Sequence, residues 1–363
     1  MLHKLHQSTF GRFRSWVHYH RAMTIIFASI GLLIAAGLIV FVVTYKSPQP
    51  TPSQKATVTV TPSPAPVYYS PLTGNKVPDE ASTEQAVTGI MIENSPDARP
   101  QSGLKNAGVV FEAIAEGGIT RFLAIYQESK PQLIGPVRSV RLYFVDWIAP
   151  FQASVAHIGG SKFALDEVRN GNYRDIDQFF NAGAYWRASD RYAPHNVYTS
   201  FERLDELNNS KGYSTSSFTA WPRTEGKPAK KSDASTINVT VSGPTFNSRY
   251  AYDKASNSYT RYQGGAPHTD REAGQISPSV VIVMETAMRK SFEDGWREQI
   301  TTIGSGKAYV FQNGTVTEST WNKKDRGSQI TFTDGSGKEV QLNRGQTWIT
   351  AIPANQGGDV SWQ

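Results

Sequence analysis

The stretch SVAHIGGSKFALDEVR, residues 154–169, runs an apolar, β-branched segment into His157, then through Gly159-Gly160-Ser161 into a segment with helical spacing. Residues 154–158 read as a buried strand, and Ser161 reads as the N-cap of a short helix. A strand that turns through Gly-Gly-Ser into a helix belongs to a mixed α/β architecture. The same turn is a place where backbone N–H groups can meet an anion, because Gly permits close approach and a helix N-terminus carries partial positive charge.

Working outward, VTGIMIEN (87–94) and AGVVFEAIAEGGITRFLAIYQ (107–127) read as strands, the second stretch as a hairpin turning at Gly117-Gly118. GPVRSVRLYFVDWIAPF (135–151) reads as a helix with Pro136 in its first turn and an apolar stripe of Val137, Val140, Phe144 and Ile148. TSFERLDELNNSKGY (199–213) reads as a further helix ending near Gly212. Beyond a polar, Pro- and Lys-containing hinge at 218–235 the period changes to two. INVTVSG, SVVIVMETAM, KAYVFQNGTVTESTW and QTWITAI read as strands, with turn signals at Asn313-Gly314 and Asp334-Gly335. The expected fold class is therefore α+β: a mixed α/β domain over 71–217 and a mostly β domain over 236–363.

The start of the chain has a different composition. Residues 22–45 carry no charge and include TIIFASIGLLIAAGLIVFVV, enough to cross a bilayer, which takes about 20 residues. Lys4, Arg12, Arg14 and Arg21 precede it with no acid, so the positive-inside rule puts residues 1–21 in the cytoplasm and the rest outside. A cleaved signal peptide would have a shorter apolar core and a small-x-small site, and neither is present. Residues 46–70, rich in Pro, Ser and Thr, read as a stalk reaching up to about 75 Å from the membrane at about 3.1 Å per residue.

The net charge is +6 over 363 residues, but all 31 acids lie beyond residue 45, where they nearly balance the remaining bases. The excess sits in the arm, which argues against nucleic acid as a partner. With no cysteine, the chain has no disulfide, thiol nucleophile or thiolate metal site. Outside the arm the histidines are His157, His195 and His268, with no metal-ligand spacing, so neither metal nor cofactor is expected.

Three segments carry candidate chemistry. On a helix, Arg138 and Arg141 share one face near its N-terminus, the wrong sign for the helix dipole unless an acid or a bound anion joins them. An internal carboxylate such as Glu112, Glu116, Asp146 or Asp190 would serve, as would a bidentate phosphate or carboxylate ligand. The turn Gly159, Gly160, Ser161 is the second segment, beside His157. DRYAPHNVY (190–198) is the third, with Asp190, Arg191, His195 and Asn196. His157, His195 and Asp190 are the candidate catalytic groups. Glu112 and Glu116, about 13–14 Å apart at roughly 3.4 Å per residue, are too far apart for a glycosidase pair. Tyr250, Tyr252, Tyr259, Tyr262, Trp321 and Trp348 either pack within the sheet or stack on sugars.

These motifs resemble the YerB-like family of bacterial envelope proteins, a family of domains of unknown function. EN then ARPQSGL (98–104), EGGITRF (116–122), IGPVRSVR (134–141), HIGGS (157–161) and RYAPHN (191–196) occur in that family's order. YVFQNGTVTESTWNK and ITFTDGSGKEVQLNRGQTWI resemble its C-terminal β domain. The resemblance implies an extracytoplasmic location and adds Arg99, Gln101 and Arg121 to the candidate ligand-binding set. Many members are lipoproteins, whereas this chain has no cysteine to acylate. The expected function is binding of an anionic wall polymer or phosphorylated ligand. The alternatives are an envelope enzyme using His157 or His195, or a scaffold for an envelope protein partner.

Overall fold

In this computed structural model, residue 16 and residues 18–45, 66–291 and 293–363 are described. The chain divides into two units, Met1–Pro64 and Ala65–Gln363. The expected basic arm, apart from a few residues at its end, and the stalk up to residue 65 lie outside the described residues.

Among the described residues of the first unit, helix α1 (Arg21–Thr44) is 24 residues long with no buried side chain. At about 1.5 Å per residue it measures about 36 Å, long enough to cross a bilayer's hydrocarbon layer.

In the second unit, counting strands of three or more residues, the first part supplies β1 (Thr88–Glu93), β2 (Val109–Glu116) and β3 (Ile119–Tyr126). Helix α2 (Leu142–Ile148), β4 (Ser154–His157), α3 (Lys162–Asn170) and β5 (Arg174–Asp177) follow. A short hairpin of β6 (Tyr185–Arg187) and β7 (Val197–Thr199) leads to α4 (Phe201–Ser210). The second part supplies β8 (Thr236–Thr240), β9 (Ser248–Asp253), β10 (Ser258–Gln263) and β11 (Val280–Thr286). A small hairpin, β12 (Met288–Lys290) and β13 (Glu298–Ile300), precedes β14 (Gly304–Gln312), β15 (Thr315–Lys323) and β16 (Thr331–Asp334). The last strands are β17 (Thr347–Pro353) and β18 (Asp359–Trp362).

Both parts build one ten-stranded mixed sheet, in the order β16-β15-β14-β11-β17-β2-β3-β1-β4-β5. The late strand β17 lies parallel between β11 and β2, with Trp348 opposite Val110 and Ile282 opposite Ile349. Strands β2, β11 and β17 are buried on both faces, as near-continuous apolar runs require. Strands β8, β9, β10 and β18 form a smaller antiparallel sheet with the short strand Ala266–Pro267.

The 135–151 segment differs from its expected helix. Only Leu142–Ile148 is α-helical, continued by a 3-10 turn at Ala149–Phe151, and residues 136–141 are extended. The cause is competition for backbone donors. Val137 N–H donates to Val197 O (2.7 Å), Arg138 N–H to Met91 O (2.8 Å) and Val140 N–H to Gly159 O (3.0 Å). Donors satisfied by neighbouring strands have no need of a helical turn. Val137 and Val140 are both fully buried because the segment is enclosed on both sides. Arg138 and Arg141 therefore do not share a helix face.

Candidate functional site

The extended segment delivers its two arginines to different carboxylates. Arg141 donates from Nε and Nη2 to Glu116 Oε2 (3.1 and 2.7 Å), and Arg121 Nη2 donates to Glu116 Oε1 (3.0 Å). Arg121 also donates to Ser139 O (2.9 Å). Burial alone would raise the Glu116 carboxyl, but the two guanidinium groups outweigh it and hold it below its ordinary range. Of the internal acids weighed as partners for Arg138 and Arg141, Glu116 takes Arg141, with Arg121 as its second guanidinium.

The second centre is Glu93, at the end of β1. Its Oε1 accepts from Ser95 Oγ (2.9 Å) and from His195 Nδ1–H (2.9 Å), and Arg138 Nε approaches it at 3.4 Å. Glu93 is 5% exposed in its side chain, Arg138 24% and His195 22%. The Nε2 of His195 is 3.9 Å from Asp97 Oδ2. His195 lines an open cleft of 670 Å³ together with Asp97, Asp190, Arg191, Tyr192 and Arg271.

The remaining candidates are engaged within the fold. Arg99 donates to Asn94 and to Thr245 O. Arg191 donates to Asp97 O (3.0 Å) and Pro100 O (2.6 Å), and Asp190 accepts from Arg271 (2.6 Å). Asn196 accepts from Arg187 (2.8 Å). His157 is fully buried, and both ring nitrogens face oxygen acceptors, Gly159 O at 2.8 Å and Asp175 Oδ1 at 2.9 Å. At the turn, Gly159 has φ +61° and donates to Asp177 Oδ1 (3.1 Å), and Ser161 N–H donates to Val140 O (3.2 Å). A Cβ on Gly160 would lie 2.7 Å from Val140 Cγ1, so that glycine is required for packing. Ser161 caps α3 by accepting from Ala164 N–H (3.4 Å), and Lys162 N–H donates to Glu293.

Gln101 belongs to a buried network that crosses the sequence. It donates to Glu93 O (2.9 Å), and its Oε1 accepts from His268 Nε2 (3.1 Å). His268 Nδ1 accepts from Arg261, whose Nη2 donates to Glu112 Oε2 (2.7 Å). Glu112 and Arg261 are both fully buried, and Trp348 Nε1–H donates to Glu112 as well (3.0 Å). Tyr250, Tyr259, Trp321 and Trp348 are core residues, so sheet packing, not stacking, accounts for them.

Sequence reasoning missed Glu93. The signal was a carboxylate ending an otherwise apolar, fully buried strand, since buried acids are nearly always paired.

Fold and centres define an α+β protein with one apolar N-terminal helix and ion-paired groups buried where distant parts of the chain meet. Residues 72–214 match the N-terminal domain, and residues 237–349 the C-terminal domain, of a family described as protein of unknown function (DUF3048). The chain belongs to this YerB-like family. It is 35% identical over 297 residues to YerB of Bacillus subtilis (strain 168), which carries the name of a lipoprotein, covering 80% of this chain and 88% of that protein. The crystal structure of Bacillus subtilis YerB matches with a TM-score of 0.72 at 33% identity, over 81% of this chain and 99% of that one.

Proposed function

We propose that this chain is a membrane-anchored binding protein of the cell envelope, with its N-terminus cytoplasmic and its folded unit outside. Its ligand is an anionic wall component, bearing a carboxylate or phosphate, held by Arg138 with His195 beside it. One observation carries this reading. Arg99, Arg121, Arg141 and Arg191 each donate guanidinium N–H groups to protein acceptors, whereas Arg138 donates none among the described residues. Its Nε stands 3.4 Å from Glu93 without a hydrogen bond, so its forked donors remain for a bidentate anion. The apolar helix and the lipoprotein name of the relative support the envelope location.

The test is calorimetry on the full chain in zwitterionic detergent, titrated with inorganic phosphate, sulfate and soluble peptidoglycan fragments. Wild type is expected to bind one of these saturably and in a salt-sensitive way. Arg138→Lys, which keeps a positive charge beside Glu93 but loses the fork, should weaken that binding about tenfold without lowering the melting temperature. Equal binding by the variant, or none by wild type, would sink the reading.

An enzymatic reading rests on His195. Its Nδ1 meets Glu93 and its ring lines the cleft, a place where a histidine can move a proton. Turnover of a wall substrate that is lost in His195→Ala, with the fold intact, would replace binding by catalysis.

A further inference from the structure

Away from the Glu93 centre, α2, α3 and the β12–β13 hairpin enclose a second cleft, of 530 Å³. A shallower hollow of 400 Å³ adjoins it, and the two share Leu142, Phe163 and Arg326. The pair forms one elongated depression running past Phe163, a shape for a chain molecule more than for a compact ion.

The cleft's arginines are already occupied. Arg141 meets Glu116, Arg297 meets Asp294, Arg326 meets both Asp146 and Glu167, and Arg289 Nε donates to Gln299 (3.2 Å). What the wall leaves over is one buried donor, Arg297 Nε, and one acceptor in the next residue. Glu298, 7% exposed, gives Oε1 to Lys290, while its buried Oε2 has no hydrogen-bond partner among the described residues. A buried carboxylate oxygen left without a donor is costly, and an O–H or N–H from a ligand would remove that cost. Apolar surface lies beside it, because Phe163 is 43% exposed and Ile303 40%.

Hydroxyl or amide donors on an apolar, flat-faced, extended molecule describe a saccharide chain. Its C–H face can rest on the Phe163 ring while a hydroxyl or acetamido N–H reaches Glu298. An extended peptide would instead look for an open strand edge. The hairpin's edge is partly taken: Arg297 bridges to Glu116, and Met288 has its N–H on Asn355 and its carbonyl taken by Asn355 and Gln356. We propose that this paired hollow is a glycan-binding groove for an uncharged or N-acetylated oligosaccharide, separate from the Arg138 centre.

The experiment uses the full chain in a detergent without sugar headgroups. Chitotetraose, cellotetraose and an unstructured peptide of mixed polar and apolar residues are titrated by calorimetry. One oligosaccharide should bind saturably and with little salt dependence. Phe163→Ala, a change at a half-exposed helix position, should weaken it about fivefold to tenfold, and Glu298→Gln should weaken it too. The melting temperature serves as the folding control and should not fall in Phe163→Ala. No oligosaccharide binding in wild type, identical binding in both variants, or peptide binding stronger than either sugar would each overturn the groove. None of these outcomes depends on whether Arg138 binds anions, because that site is titrated separately.

Discussion

Glu112 and Arg261 sit at the most desolvated point of the polar network, fully buried and 2.7 Å apart. Such a pair survives because both carboxylate oxygens have donors: besides Arg261, Glu112 accepts from Trp348 (3.0 Å) and Thr120 (3.2 Å). Glu112→Gln should destabilise the protein by about 3–5 kcal/mol in urea unfolding, since it leaves a buried guanidinium uncompensated. His268 sets a pH dependence beside it. Burial, with Arg261 and Arg99 adding, pushes its imidazole well below the ordinary 6.5. The unfolded chain then binds a proton that the folded one refuses, so the contribution of His268 to stability is full above about pH 6.5 and falls as the pH drops below it, by up to about 1.4 kcal/mol per unit. Urea midpoints measured from pH 7.5 to 5.5 should fall, and His268→Gln should flatten that part of the slope.

At the scale of elements, legibility followed the range of the interactions. Helix α3 was readable because its cap Ser161 and its apolar positions Ala164 and Val168 are local. The β14–β15 hairpin was readable because Asn313 and Gly314, at φ +60° and +79°, are the residues that such a turn admits. The 135–151 segment was not, because its first half is fixed by Val197, Met91 and Gly159, residues that no local pattern points to. The same limit governs the candidate site. Arginines and histidines could be picked out by type, and Glu116 was among the acids weighed. That Glu93 would gather Ser95, Arg138 and His195 depends on the extended 134–138 segment lying between β7 and β1, which sequence spacing does not encode.

At the scale of the whole molecule, the ten-stranded sheet draws its centre from both ends of the folded unit. Strand β2 is flanked by β3 on one side and by β17 on the other. Residues 66–217 expressed alone would bare the β2 edge and lose Arg261, the partner of Glu112. That fragment should show no cooperative melting transition and poor amide dispersion, and adding residues 218–363 should restore both. The interleaving also sets a clock. Val110 and Trp348 face each other across the sheet, yet roughly 240 residues separate them in the chain. At about 5–20 residues per second of synthesis, the wait is on the order of 10–50 s. For a chain with an apolar helix near its N-terminus, this delay leaves the middle of the sheet without its partner strand until the last strands are made, and it exposes the unfinished centre to holding factors or to aggregation in the meantime.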